Sequence, residues 1–267
     1  MLMLYIWMKF MDFITNIPPC LKRIKNPPKK LYFKGDLSLL ERPKVAIVGS
    51  RSCSKYTQNL ILNLANALKN AGVCVVSGAA IGADIYAHQG SYPLTIAVFG
   101  NGLDEIYPKQ NAKMINEIYA HSLALSEYEP NQKAYSAFFL QRNRIVVGLS
   151  DAVVVAQADI KSGSMSSAMY AKNAGIELYG FAQRMGESDG TNLLISKGQM
   201  RLIVDIDEFV AKFSSPLFSA SENKDEIIEF IKQNPSFNTC YARFGDKIFE
   251  YEIEGKIAID GAFVRVL

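Results

Sequence analysis

Cysteine is sparse in this chain. Cys20, Cys53, Cys74 and Cys240 are scattered, with no CxxC pair among them. Such spacing argues against a zinc site or a disulfide framework and reads as buried or neutral thiols in a reducing compartment. Long apolar runs are missing too: no stretch of eighteen or more uncharged apolar residues is present, which disfavours a membrane span. The apolar start is interrupted by Lys9 and Asp12 and lacks both a basic leading region and a small-residue cleavage site before Pro18-Pro19, so it does not read as a signal peptide. The expectation is a cytoplasmic protein, with translation starting at Met1, Met8 or Met11. An excess of one charge is also lacking. The 29 basic and 26 acidic residues leave a net charge of +3, too mild for a global nucleic-acid field.

What is present is apolar surface. Hydrophobic residues make up 49% and aromatics 11% of 267 positions, enough to exclude disorder and to build one large domain with appendages. Charge is unevenly placed. Residues 1–44 hold nine basic and three acidic side chains, residues 45–221 fourteen of each, and residues 222–267 six basic and nine acidic. A polyanion bound by the middle of the chain must therefore be held by a local constellation, and the acidic tail is a poor grip for phosphates.

Residues 1–41 read as an N-terminal extension, helical in patches, punctuated by Pro18-Pro19 and Pro27-Pro28 and carrying the basic residues Lys22, Arg23, Lys25, Lys29 and Lys30. From residue 42 to 213 strands and helices alternate. Strands are predicted at 44–48, 73–76, 94–99, 123–125, 152–156, 178–182 and 201–204. Helices are predicted at 57–70, 110–120, 138–149, 166–174 and 207–213, with another starting at 82. Short Val/Ile/Leu-rich strands bounded by glycine and alternating with helices specify an α/β fold, a parallel sheet covered on both faces. Residues 214–221 are a linker by composition. Beyond it, helices at 225–233, 238–244 and 246–254 and a hairpin over Asp260-Gly261 suggest a reduced winged-helix-like domain at 222–267.

In an open parallel sheet, ligands bind beyond the carboxyl ends of the strands. Four small-residue loops fall there: Gly49-Ser50-Arg51-Ser52, Ser77-Gly78-Ala79-Ala80-Ile81-Gly82, Gly100-Asn101-Gly102 and Ser162-Gly163-Ser164-Met165-Ser166-Ser167. Small side chains let a phosphate reach backbone N–H groups, and the following helix N-termini add a favourable dipole. A single such loop is weak, since strand-to-helix turns favour glycine anyway; four on one rim, one with a guanidinium, point to a site. No segment matches GxGxxG, and the second strand ends in Ser77-Gly78 with no acidic residue for a ribose, which disfavours NAD. His88 and His121 are the only histidines. Asp84 precedes His88 by four residues, a spacing that suits either an Asp-His pair or a histidine packed in its helix. No nucleophile-elbow motif accompanies it, and no carboxylate-rich metal cluster appears. The stretch Phe138-Phe139-Leu140-Gln141-Arg142-Asn143-Arg144 either combines phosphate contacts with base stacking or pairs its arginines with acidic residues while its phenylalanines fill the core.

These motifs carry a family likeness. In order they are Val48 to Ser52, Ser77 to Asp84 with His88, Gly100-Asn101-Gly102-Leu103-Asp104 leading to Tyr107-Pro108, Ser126-Glu127, Phe139 to Arg144, Ser162-Gly163-Ser164 and Asp189-Gly190-Thr191-Asn192. Together they resemble the DprA/Smf family of DNA-processing proteins of natural transformation, over roughly residues 18–213. The resemblance implies an extended Rossmann-like domain with a winged-helix tail. It also implies a non-catalytic role without cofactor or metal: binding and shielding single-stranded DNA, helping to load a RecA-type recombinase, and forming a homodimer through the Rossmann-like domain. Carried over, Gly49, Ser50, Arg51 and Ser52 would contact the DNA backbone, with Arg51 the main charge. Ser162, Gly163, Ser164, Ser166 and Ser167 would form a second phosphate nest. Phe139 would stack a base, Arg142 and Asn143 would support the groove, and Gly78, Gly82, Gly100 and Asn101 would complete it. Two departures stand out. Leu140 occupies a position where the family has proline. Ser136-Ala137 stands where some relatives have lysine, and Lys133 is the candidate substitute.

Two rival readings share the fold. A phosphoribohydrolase would carry a PGGxGT segment followed by a catalytic glutamate, but after Ser162 no glutamate occurs before Glu177. A plain nucleotide-sensing module would use Arg51 on a single phosphate group.

Overall fold

A computed structural model of the chain describes residues 11–214, 226–253 and 255–266. The apolar start and most of the expected linker, residues 215–221, lie outside the described residues. The chain divides into two compact units, Met1–Ser219 and Ala220–Leu267.

The first unit is built on β1 (Phe13–Ile14), β2 (Leu31–Gly35), β3 (Lys44–Val48), β4 (Cys74–Ser77), β5 (Thr95–Phe99), β6 (Leu123–Ser126), β7 (Ala152–Val155), β8 (Glu177–Phe181) and β9 (Arg201–Ile203). Helices α1 (Lys55–Asn70), α2 (Ala83–Ser91), α3 (Ala112–His121), α4 (Ser136–Leu149), α5 (Gly163–Asn173), α6 (Asp189–Ser196) and α7 (Ile206–Ala211) connect them. Among the described residues the strands form one sheet in the order β1-β2-β6-β5-β4-β3-β7-β8-β9. From β6 to β9 all pairs are parallel.

Side-chain alternation explains why both faces are covered. Ala46, Val48, Val76, Val153 and Val155 enter one apolar layer, and Val45, Ile47, Val75, Ala152 and Val154 the other, as the two-residue period of a strand requires. Helix α1 shows the complementary logic. The Ser54 hydroxyl caps it by accepting from the Thr57 N–H at 3.3 Å, and Thr57, Ile61, Leu64, Ala65 and Leu68 form its buried stripe. Each fully buried Ile or Leu there stabilises the layer by roughly 1.5–3 kcal/mol.

The N-terminal extension departs from its expected helical character. Among its described residues only short 3-10 turns at Pro19–Arg23 and Leu37–Glu41 are helical, while β2 pairs antiparallel with β6. The physical reason is the run Leu31-Tyr-Phe-Lys34, whose β-formers bury Leu31 and Tyr32 against an edge that would otherwise be unpaired. The Asp189 motif, noted only as a sequence signature, opens the extra helix α6.

The second unit contains α8 (Glu226–Gln233), α9 (Phe237–Phe244), α10 (Lys247–Ile253) and the hairpin β10 (Ile257–Asp260) and β11 (Phe263–Val266). Ile227, Ile231, Cys240, Ile248, Ile257 and Val264 form its own small core.

Candidate nucleic-acid interface

Strand β3 lies between β4 and β7, so the chain winds one way from β3 to β6 and the other way from β7 to β9. The loops after β3 and β7 diverge at this reversal, which opens a crevice at the carboxyl edge of the sheet. A cleft of about 430 Å³ sits there. It is lined by Gly49, Ser50 and Arg51 from the first loop, by Gly78 from the loop after β4, and by Phe139, Arg142 and Asn143 from α4. Ser162, Gly163, Ser164 and Ser167 close it from the start of α5.

One wall is a lock. The Arg142 side chain is 3% exposed, and its guanidinium donates to the carbonyl oxygens of Gly78 and Val98 and, at 3.2 Å, to Asn143 Oδ1. A Cβ at Gly78 would lie 2.4 Å from that guanidinium and would force it to move. Burial pulls the Arg142 pKa down, opposed by the negative charge of Asp84. Burial likewise pushes Asp84 up, opposed by Arg142 and by backbone hydrogen bonds at Ala80 and Gly78.

Behind this pair sits His88. Its Nε2 accepts from the Ala79 N–H at 3.2 Å, and its Nδ1 lies 2.7 Å from Thr95 Oγ1, so the proton belongs on Nδ1. Burial, with Arg142 adding to it, drives the His88 pKa down to about 3; the ring is neutral at physiological pH. His88 is thus the packed histidine, holding Ala79 at φ 57 with Asn111 Nδ2, which donates to the Ala79 carbonyl at 3.0 Å.

The other wall offers free chemistry. The Ser50 carbonyl accepts from the Ala83 N–H at 3.0 Å. This close approach depends on Gly82 at φ +80, where a Cβ would lie 2.4 Å from the Ser50 oxygen. Arg51 is thereby turned outward and exposed, with no carboxylate paired to it among the described residues. Its guanidinium lies 6.0 Å from the Phe139 ring centroid. Helix α5 points its N-terminus at the cleft. Ser162 Oγ takes the Met165 N–H at 3.3 Å, leaving earlier N–H groups of the first turn without intrahelical partners, as at any helix start.

The aromatic pair divides its labour. Phe138 stacks on Tyr128 at 4.3 Å and meets Tyr135 edge-on. Arg144 is bound to Glu127 at 2.6 Å. For Arg144 the pairing alternative holds, while Phe138 is half-buried against tyrosines and not part of a core layer. Phe139 instead lines the cleft and stacks on Tyr107 at 5.4 Å and 25°. Tyr107 was visible only as part of the Tyr107-Pro108 motif, and nothing in its local sequence signals a ring platform.

Six of the expected site residues do not line the cleft. Gly82 and Gly100 act from beneath: a Cβ at Gly100 would meet the Phe139 ring at 2.7 Å. Asn101 is buried, and its Nδ2 donates to the Gly102 and Glu105 carbonyls at 3.0 and 2.7 Å. Ser52 is exposed, with its N–H donated to Ser50 Oγ at 3.1 Å. Ser166 is half-buried on α5, and Lys133 is exposed in the loop before α4 rather than on a helical turn. Conversely, Asp84, Leu140, Ser136 and Ala80 line the cleft without having been singled out as binding residues.

The cysteines are free, and burial raises each of their pKa values, that of Cys74 to about 12. Among the described residues no helix is long and apolar enough to cross a membrane.

A doubly wound α/β sheet with a crevice at its switch point, furnished with a helix N-terminus, an exposed guanidinium and stacked rings, defines the class of this protein. Residues 11–214 match the family model of DNA recombination-mediator protein A. The chain belongs to that family, whose name describes mediation of recombination and not a catalysed reaction. It is 38% identical over 198 residues to the DNA processing protein DprA of Streptococcus pneumoniae, covering 72% of this chain and 70% of that protein. It is 37% identical to the Bacillus subtilis DprA, of which it spans 56%. Among solved structures, DNA processing protein A from Helicobacter pylori, described for its single-stranded DNA binding mode, superposes with a TM-score of 0.74 at 45% identity, covering 75% of this chain and 94% of that one. The Streptococcus pneumoniae structure gives a TM-score of 0.73 at 35% identity, covering 78% and 76%.

Proposed function

We propose that this protein binds single-stranded DNA in the cleft, protects it, and helps load a RecA-type recombinase during natural transformation. The carrying observation is the meeting, in one cleft, of an outward unpaired Arg51, the α5 N-terminus and the Phe139–Tyr107 stack. A strand needs those three elements: a charge and a dipole for phosphate, and a π-face for a base. Gly49, Ser50, Ser162, Gly163 and Ser164 are small enough for the sugar-phosphate chain to approach, and Arg142 and Asn143 hold the groove's shape. Lys133 and Ser52, exposed beside the cleft, would meet flanking phosphates.

A homodimer through the Rossmann-like unit would place two clefts on one strand. The 220–267 unit, with three helices and a hairpin, is winged-helix-like, and its acidic α10 suits a protein contact. All of this fits a cytoplasmic protein. The phosphoribohydrolase alternative is weaker, because the carboxylate that does line the cleft, Asp84, is 8% exposed and not presented to a ligand.

The test is a titration with oligothymidylate at two salt concentrations. Binding should weaken with salt, by a logarithmic slope of about 0.7 per phosphate neutralised. Turnover of nucleoside monophosphates without strand binding would overturn the reading.

A further inference from the structure

Ser167, expected above as part of a phosphate nest, sits deeper in the cleft than contact with an exposed strand backbone requires. Ser167 is 1% exposed, lines the cleft, and its buried Oγ has no hydrogen-bond partner. A buried hydroxyl without a partner carries a desolvation penalty and calls for an explanation. Ser167 lies one turn into the eleven-residue helix α5, on the same face as Gly163 and Ser164, which also line the cleft. Its hydroxyl therefore extends the N–H array of the helix start with a further donor, set deeper than the backbone.

Two further properties define what such a seat takes. A volume of about 430 Å³ lies toward the low end of small-molecule sites, roughly 300–1,000 Å³, and suits one nucleotide better than several. A phosphomonoester carries about −1.5 to −2 at pH 7 and three terminal oxygens, whereas an internal diester carries a single charge and two. The extra charge and oxygen are what the α5 dipole, Arg51 and Ser167 Oγ would reward.

We propose that the cleft seats a nucleotide phosphomonoester more tightly than an internal diester unit. That chemistry comes from two sources: the phosphorylated end of a strand, or a free nucleoside monophosphate competing with the strand. The proposal rests on the strand-binding reading for its strand arm only.

The test displaces a labelled, hydroxyl-ended oligothymidylate from the full chain with thymidine, inorganic phosphate, dTMP, and oligothymidylate of equal length with or without a 5′-phosphate. Expected is displacement by dTMP at about tenfold lower concentration than by phosphate or thymidine, and about fivefold tighter binding of the phosphorylated strand than of the hydroxyl-ended one. Tightening of the phosphorylated strand identifies the strand end as a source, and dTMP displacement identifies the free nucleotide. Ser167→Ala should weaken dTMP by about fivefold and the hydroxyl-ended strand by less. Equal affinity for both strands together with inert dTMP overturns the phosphomonoester seat while leaving strand binding intact. A uniform loss in Ser167→Ala also overturns it. Binding of dTMP read by calorimetry, with no binding of the labelled strand, upholds the seat and overturns the function proposed above.

Discussion

Two arginines line the cleft in opposite surroundings. Arg142 is 3% exposed and directs its guanidinium into the protein, at the Gly78 and Val98 carbonyls and toward Asp84. Arg51 is exposed, unpaired among the described residues, and carried on a turn that Gly82 allows to fold close. The difference teaches that charge near a site is of two kinds. A buried guanidinium bonded to backbone carbonyls fixes backbone, while a free one remains available to a phosphate. The same division runs through Phe138 and Phe139, one packed under tyrosines and the other facing the cleft.

The sharpest way to break this comparison is Arg142→Ala. It leaves the buried Gly78 and Val98 carbonyls without their donor, so unfolding stability should fall by about 2–4 kcal/mol. Urea denaturation reads this directly. A variant of unchanged stability that merely binds DNA less well would make Arg142 a contact residue like Arg51. Next in size is the pH response of His88. Its folded pKa is about 3 against about 6.5 in the unfolded chain, so unfolding takes up a proton as pH falls below 6.5. Its share of stability is therefore intact above that pH and declines toward 3, by about 2 kcal/mol between pH 7 and 5. Asp84, shifted upward, opposes this trend. His88→Gln should remove the His88 part of the slope, measured by denaturation at both pH values.

Smaller effects belong to the contact wall. Phe139→Ala should cost about 1–3 kcal/mol in strand affinity through lost stacking, as read by anisotropy. Arg51→Ala should weaken binding evenly across sequences and lower the salt slope by about 0.7, with stability changed by no more than about 0.5 kcal/mol. If Arg51→Ala destabilised the fold as much as Arg142→Ala, the division between the walls would be lost.

How far the sequence reveals this depends on the range of the interaction. The sheet's parallel core was readable because Val45 to Val48 and Val153 to Val155 bury by local period, and the loops at 49–52 and 162–167 fall where strand and helix signals change. The β2–β6 pairing was not, because no local pattern reveals that a strand runs antiparallel onto an edge 90 residues away. Nor could sequence assign Arg142 and Arg144. Both sit in one basic helical segment, and only tertiary packing aims one at carbonyls and the other at Glu127. Asn101 illustrates the same limit, since its loop reads as exposed glycine-rich chain yet its amide is buried against two carbonyls.

The comparison extends to the second unit, where the smallest effect is expected. Its third helix α10 and flanking Asp246 bring Asp246, Glu250 and Glu252 to an exposed surface, with Lys247 the one base among them. Within a Debye length of about 8–10 Å, phosphates would meet net negative charge there. On this surface Phe249 is 41% and Ile253 86% exposed. Apolar exposure beside acid suits a protein surface better than a duplex. The fragment 220–267, which has its own core, should therefore leave duplex DNA unshifted in a gel at moderate salt. Tight duplex binding by that fragment would place a second nucleic-acid site in the acidic unit and refute the charge argument.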